Sequence, residues 1–194
     1  MGPNGRAARL RGRRCPRAPS GLQDWPRRRH ELGTEIERKF LVDDPSIVDG
    51  LPGSVLRQGY LSRAPERTVR VRRSGTQAWL TVKGPNSGST RAEWEWEIPP
   101  DDADEMLTIC DGPVLEKTRY LVEHDGLTWE VDVFSGANSG LVIAEIELGS
   151  ADTDISLPPW VGREVTGDLR YYNSSLAVTP IRTRGDSPAP VERP

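Results

Sequence analysis

Cysteine and long apolar runs are both scarce in this sequence of 194 residues. Its two cysteines, Cys15 and Cys110, are too few for a disulfide framework, which favours a reducing compartment. No apolar run approaches the roughly 18 to 20 residues of a membrane span, and the N-terminus lacks the apolar stretch of a signal peptide. We therefore expect a cytoplasmic protein with no membrane partner.

The sequence also lacks the short motifs of several common enzyme classes. It contains no Walker-type phosphate loop, no dinucleotide-binding fingerprint and no nucleophile elbow. Its two histidines, His30 and His124, do not have the spacing of a metal site. Any enzymatic activity must therefore come from a different pattern of residues.

Charge is distributed very unevenly along the chain. Residues 1–33 contain nine arginines against two acidic residues, a net charge of +7, which leaves −10 on residues 34–194. This basic leader has no hydrophobic periodicity, so we expect it to be disordered, as we do residues 181–194. A tether to nucleic acid is the alternative for the leader, but nucleic acid is not the expected partner. Residues 34–180 are then one folded domain.

Within residues 34–180, the dominant pattern is the period-two alternation of β-strands. Eight such runs are separated by turn signals such as "RSGTQ" and "HDG". In the clearest run, "RAEWEWEI", three glutamates alternate with two tryptophans and an isoleucine. Helical patterns are sparse and are predicted near Asp101, from Asp168 to Leu176, and as one turn at residues 45–48. The sequence therefore predicts a mainly β protein with a few flanking helices.

The polar faces of these predicted strands are almost entirely charged. Acidic residues two positions apart occur in four of the runs, and basic pairs with the same spacing occur in two. A charged face on a single strand is usually only its solvated face. Adjacent like charges repel, however, unless an opposite charge lies between them. Taken together, these charged strand faces indicate a site that binds both cations and an anion. A barrel whose charged faces point inward would provide such a site.

The motif "EIERKF" resembles the Glu-x-Glu-x-Lys signature of the CYTH superfamily, the triphosphate tunnel metalloenzymes. Further blocks follow in that family's order: "RVRR", "LTVKG", "RAEWEWEI", "LEKTRY", "WEVDVF", "AEIEL" and "EVTGDLRYYN". The resemblance implies an α+β fold that is mainly β, with helices flanking a closed eight-stranded antiparallel barrel and its charged central tunnel. It also implies hydrolysis or cyclisation of a triphosphate-containing small molecule with Mg²⁺ or Mn²⁺. We expect a monomer or a homodimer.

Phosphate chemistry accounts for the types of residue on these charged strand faces. Arginine grips phosphate oxygens with two donors, and lysine acts as a point charge. The expected substrate clamp, which matches the family's phosphate-binding positions, consists of Arg70, Arg72, Lys83, Lys117 and Arg119. Hard divalent cations prefer carboxylate oxygens. The first metal is expected to bind Glu35, Glu37 and Glu147, while a second metal, or waters on the first, would be held by Asp132 and Glu145.

Three further residues are expected to take part in the reaction itself. Lys39 shares a strand face with the first glutamates and is expected to orient or neutralise the reacting phosphoryl group. Glu93 and Glu95 match family positions near the site and are expected to fix the basic clamp or a metal-bound water. These roles fit phosphoryl transfer, whose rate depends on positioning of the reactants and on charge stabilisation.

Metal-dependent hydrolysis of inorganic tripolyphosphate or of a nucleoside triphosphate is the favoured activity. An adenylyl cyclase of the class IV type is the nearest alternative, although no purine pocket can be identified from the sequence. A polyphosphate-binding module without turnover is a second alternative, but binding an anion does not require so many carboxylates. A ligand barrel of the lipocalin type would need an apolar interior, which conflicts with the alternation.

Overall fold

The computed structural model describes residues 34–87, 90–150 and 152–181, with side chains described for all of these except residues 34–35 and 86–91. Within these ranges there are nine strands: β1 (Thr34–Val42), β2 (Gly53–Ala64), β3 (Arg67–Ser74), β4 (Gln77–Ser87), β5 (Thr90–Glu97), β6 (Leu115–His124), β7 (Leu127–Phe134), β8 (Val142–Leu148) and β9 (Val161–Glu164). The helices there are α1 (Pro100–Thr108) and α2 (Asn173–Val178), with 3-10 turns at Pro45–Val48, Gly136–Asn138 and Leu169–Tyr171. None of the helices in these ranges is long and apolar enough to span a membrane. The predicted disorder of residues 1–33 and 182–194 lies outside the described residues.

The eight predicted strands are all present, as β1 to β8, so the mainly β prediction is confirmed. The predicted turn "HDG" connects β6 to β7, with positive φ angles of 51° at Asp125 and 75° at Gly126. Consecutive positive φ angles are what a type I′ hairpin requires, which explains the Asp-Gly pair. The three predicted helical regions are also present, although the last begins as a 3-10 turn before α2.

The predicted closed eight-stranded barrel is wrong. The sheet has nine strands in the order β5-β4-β3-β2-β6-β7-β8-β1-β9. It curls until β5 meets the start of β1, but the described pairing there is limited to residues 34–36 of β1. Further along β1, the short strand β9 pairs at Phe40 and Val42. Because β9 hydrogen-bonds to β1 where β5 would have to continue, the sheet remains open along this seam. The charged residues therefore line the inner face of a curled, open sheet.

As predicted, the alternation of side chains along the strands puts charged residues on the inner face of the sheet and apolar residues on its outer face. The inner face carries Lys39, Arg72 and Asp132, and the outer face carries two of the apolar clusters. One outer cluster packs β1, β7 and β8 around Trp129, which is fully buried. The other packs α1 against Val71 and Ala78 of β3 and β4. The charged face and the main core therefore lie on opposite sides of the same strands.

A third apolar cluster covers part of the inner face itself. Phe134 and Ile143 occupy inner positions of β7 and β8, yet they are buried against Leu176 of α2 and against Ile181. Ile181, which was predicted to belong to the disordered tail, is only 3% exposed. This apolar cap confines the charged residues to the remaining part of the inner face.

Candidate active site

The charged side chains of the inner face form two groups. We call the group on β3, β4 and β5 the arginine cluster; it comprises Arg70, Arg72, Thr81, Lys83, Glu93 and Glu95. We call the group on β1, β6, β7 and β8 the lysine–carboxylate cluster; it comprises Glu37, Lys39, Lys117, Arg119, Glu130, Asp132 and Glu145. Strand register produces both groups, because residues directly opposite on neighbouring strands share a face.

Glu95 is the centre of the arginine cluster. Its carboxylate accepts a hydrogen bond of 2.7 Å from the Thr81 hydroxyl and contacts of 3.3–3.4 Å from Arg70 and Arg72. The Nε atoms of both arginines are buried, and neither has a hydrogen-bond partner within the described part of the chain. A buried donor without a partner is costly, so these two N–H groups are suited to a ligand that supplies oxygen atoms.

Arg72 lies in a strongly basic environment. Burial, together with the neighbouring positive charge of Arg70, lowers the pKa of Arg72 from its ordinary value. Its guanidinium carbon also lies 5.1 Å from the centre of the Trp79 ring, a cation–π contact. An anion bound beside Arg72 would relieve the repulsion between the two arginines.

Asp132 is the centre of the lysine–carboxylate cluster and is fully buried. Arg119 grips it with two donors at 2.7 Å, and Lys117 donates to the same carboxylate. Arg119 also bridges Glu130 and Glu145, which face each other across β7 and β8. Both oxygens of Asp132 are therefore already occupied by cationic donors.

The two buried lysines of this cluster differ in their protonation equilibria. Burial favours neutral Lys39, but the carboxylates of Glu145 at 2.5 Å and Glu37 at 2.9 Å outweigh burial and raise the pKa of Lys39. Burial lowers the pKa of Lys117 in spite of the attraction of Asp132, and the positive charge of Arg119, which shares that carboxylate, lowers it further. The pKa of Glu145 is held well below 4.5 by Lys39 and its other cationic neighbours, against the effect of burial. Lys39 and Glu145 therefore form a stable ion pair.

A pair of glutamates between β1 and β8 provides the best place for a cation. Glu37 and Glu147 are directly opposite in the strand register. Lys39 contacts Glu37, while Glu147 is exposed and makes no ion pair with any residue that the structure describes. Two facing carboxylates repel each other unless a cation lies between them, and hard divalent cations favour such oxygens. The residues present therefore fit a divalent metal, although no three metal-binding side chains converge among those described.

The family model of the CYTH domain matches residues 33–179 of this sequence. The chain belongs to the CYTH family. A curated relative from Acetivibrio thermocellus, named inorganic triphosphatase, is 47% identical over 152 residues, which cover 78% of this chain and 97% of the relative. Another inorganic triphosphatase, from Nitrosomonas europaea, is 40% identical over 151 residues, covering 75% and 98% of the two chains. The crystal structure of an inorganic triphosphatase matches with a TM-score of 0.57 at 39% identity, covering 76% of this chain and 97% of that one.

The predicted CYTH site residues do not all lie in one group. The arginine cluster contains five of them, namely Arg70, Arg72, Lys83, Glu93 and Glu95. The lysine–carboxylate cluster contains six, namely Glu37, Lys39, Lys117, Arg119, Asp132 and Glu145. Glu147 faces Glu37 across the strand pair, and the backbone of Glu35 pairs with Arg91 of β5. The predicted clamp is thus divided, with Lys117 and Arg119 held by carboxylates predicted to bind metal.

Two uncharged residues of this CYTH inner face were not predicted as site residues. Thr81 and Gln58 are both fully buried at inner positions, where each faces an arginine across the strand register. Gln58 donates to the Tyr60 hydroxyl at 3.2 Å, and its own Oε1 has no partner in the described part of the chain. The signal in the sequence was a neutral polar residue at a position that alternates with the outer apolar residues of a charged strand, but the predicted site included only charged residues.

Proposed function

We propose that this CYTH protein is a metal-dependent triphosphatase that hydrolyses inorganic tripolyphosphate to pyrophosphate and phosphate. A water oxygen forms a bond to a terminal phosphorus, and the bridging P–O bond breaks with its electron pair leaving on pyrophosphate. The proton released by the water passes to solvent or to a product oxygen. The names of the two curated relatives support this substrate class.

The observation that carries the proposal is the pair of buried Nε donors on Arg70 and Arg72, which have no partner in the described part of the chain. Protein contributes little covalent chemistry to phosphoryl transfer, so rate acceleration depends on positioning and charge stabilisation. Each guanidinium contacts Glu95 through its Nη2 atom, while its Nε donor has no partner among the described residues and is proposed to bind a phosphate oxygen. Lys83, held 2.5 Å from Glu93, adds a third positive charge on the neighbouring strand.

Glu37 and Glu147, together with Glu35 two residues earlier on β1, are the proposed ligands for Mg²⁺ or Mn²⁺. When bound, the cation neutralises charge on phosphate oxygens and orients the attacking water. Asp132 and Glu145 have a different proposed role, because their oxygens already bind cationic side chains. They hold Lys117, Arg119 and Lys39 in place on the inner face.

Lys39 is proposed to act as a fixed positive charge beside the reacting phosphoryl group. Its raised pKa keeps the ammonium protonated, so it is not suited to act as a general base. Glu37 and Glu145 fix its Nζ between β1 and β8. Glu93 and Glu95 are proposed to hold the basic residues of the arginine cluster in an equivalent way.

The proposal is tested by incubating the purified protein with tripolyphosphate, ATP and thiamine triphosphate, each with Mg²⁺, with Mn²⁺ and with a chelator. We expect metal-dependent release of equal amounts of phosphate and pyrophosphate from tripolyphosphate. Formation of cyclic AMP from ATP would instead identify a cyclase. Tight binding of tripolyphosphate without any product would identify a binding module.

A further inference from the structure

Thr81 occupies the central position of the arginine cluster, although it carries no charge. It lies on β4 and is fully buried, directly opposite Arg70 of β3 and Glu95 of β5. Its hydroxyl donates to Glu95 Oε2 at 2.7 Å and accepts from Arg70 Nη2 at 3.2 Å. Both hydrogen-bonding functions of the hydroxyl are therefore used within the cluster.

Glu95 has to satisfy two competing arginines. Arg70 and Arg72 approach the same carboxylate at 3.3–3.4 Å, distances longer than those typical of charge-assisted hydrogen bonds. The bond from Thr81 is the shortest that Glu95 accepts among the described residues. The carboxylate is therefore anchored to β4 by a neutral group, and it is shared between the arginines instead of being captured by one of them.

We propose that Thr81 is a positioning residue for substrate binding, which acts through Glu95 to hold both arginines ready for phosphate oxygens. This inference rests on the proposed function. Without the Thr81 hydroxyl, Glu95 would rotate toward one arginine and form a closer, two-donor ion pair with it. That arginine would then offer fewer donors to the substrate, and tripolyphosphate would bind more weakly.

The test compares Thr81→Val, which keeps the shape but removes the hydroxyl, with Thr81→Ser, which keeps the hydroxyl. We expect T81V to raise the KM for tripolyphosphate about tenfold, with kcat changed less, and T81S to stay within about twofold of the wild type. Thr118→Val is the matched control, because Thr118 lies on the outer face of β6, away from the two clusters. It should leave KM unchanged.

A double-mutant cycle distinguishes positioning from a general packing role. In a Glu95→Gln background, T81V should raise KM by no more than about twofold, because the group through which Thr81 acts is already altered. An equal tenfold effect in both backgrounds, or a wild-type KM in T81V, would overturn the inference. Equal rises in KM for T81S and T81V, accompanied by lower melting temperatures, would also overturn it by indicating a packing role.

The wild-type measurement separates this inference from the proposed function. If the wild type neither binds nor hydrolyses tripolyphosphate, the proposed function is wrong, and this inference, which rests on it, is wrong as well. If the wild type is active and T81V behaves like it, only the role of Thr81 fails. Calorimetric binding of tripolyphosphate in chelator provides a readout independent of turnover, and T81V should show the same loss of affinity there.

Discussion

The two clusters of the inner face use similar residues in opposite ways. The arginine cluster has three basic and two acidic residues, and its arginines retain buried donors without a partner among the described residues. The lysine–carboxylate cluster has three basic and four acidic residues, and its central carboxylate is fully buried with both oxygens occupied. The first cluster is therefore the proposed site for an external anion, while the charges of the second largely neutralise one another. If this proposal is correct, similar charges on one sheet face serve substrate binding in one place and structural stability in another.

The largest expected effect is on folding, from Asp132→Asn in the lysine–carboxylate cluster. This change keeps the shape but leaves Lys117 and Arg119 without their shared carboxylate in a buried site. Removing one partner of a buried pair costs about 3–5 kcal/mol, and we expect the free energy of unfolding to fall by that amount. Chemical denaturation would measure it.

The matched control for D132N is Glu116→Gln, which makes the same chemical change in an exposed pair with Arg57. Both side chains of that pair are about half exposed, at 49% and 50%. Exposed pairs contribute about 0–1 kcal/mol, so E116Q should hardly change unfolding. Equal, small effects of both substitutions would show that the burial of Asp132 does not govern its role.

The next effect concerns turnover and the proposed metal position. Glu37→Gln removes one negative ligand while keeping its size, so kcat should fall by more than about a hundredfold, or about 2.7 kcal/mol in the activation barrier. Glu97→Gln, at the exposed end of β5, should lower kcat far less. Steady-state kinetics with Mg²⁺ and Mn²⁺ would measure both. Comparable mild effects would place the metal elsewhere.

A smaller effect concerns acid stability. The folded state holds the pKa of Glu145 well below its ordinary value of 4.5, so the unfolded chain binds a proton more readily at low pH. The stabilisation from ionised Glu145 is therefore fully present above about pH 4.5 and is lost as the pH falls toward the folded pKa. We expect the melting temperature to drop over that range, and less steeply in Glu145→Gln. An unchanged slope in E145Q would assign the acid sensitivity to other carboxylates.

Strand alternation was sufficient to predict much of this architecture. It predicted β1 to β8 and the inner position of residues such as Arg72 and Asp132, because the period-two pattern depends only on local sequence. It did not predict β9, whose four residues show no alternation, and it therefore missed the strand that occupies the edge of β1. The closed barrel was wrong for this reason, since closure depends on pairing between distant segments.

The division of the site into two clusters could not be predicted either. Arg119 and Glu145 lie on strands separated by β7, and their 3.0 Å contact depends on curvature and side-chain reach. Alternation also places Phe134 on the inner face without indicating that α2 covers it. The roles of Lys117 and Asp132 follow from such contacts, whereas the sequence shows only their charge.

Binding of tripolyphosphate to the Arg72→Ala variant tests most directly whether the arginine cluster binds the substrate. Calorimetry in chelator should show a loss of about 2–5 kcal/mol in binding free energy, the range for truncating one partner of a buried charge contact. Arg57→Ala, a surface arginine on β2, should bind like the wild type. Without ligand, R72A should melt at or above the wild-type temperature, because repulsion with Arg70 is removed. Wild-type affinity in R72A, combined with a lower melting temperature, would contradict the account by making Arg72 a structural residue.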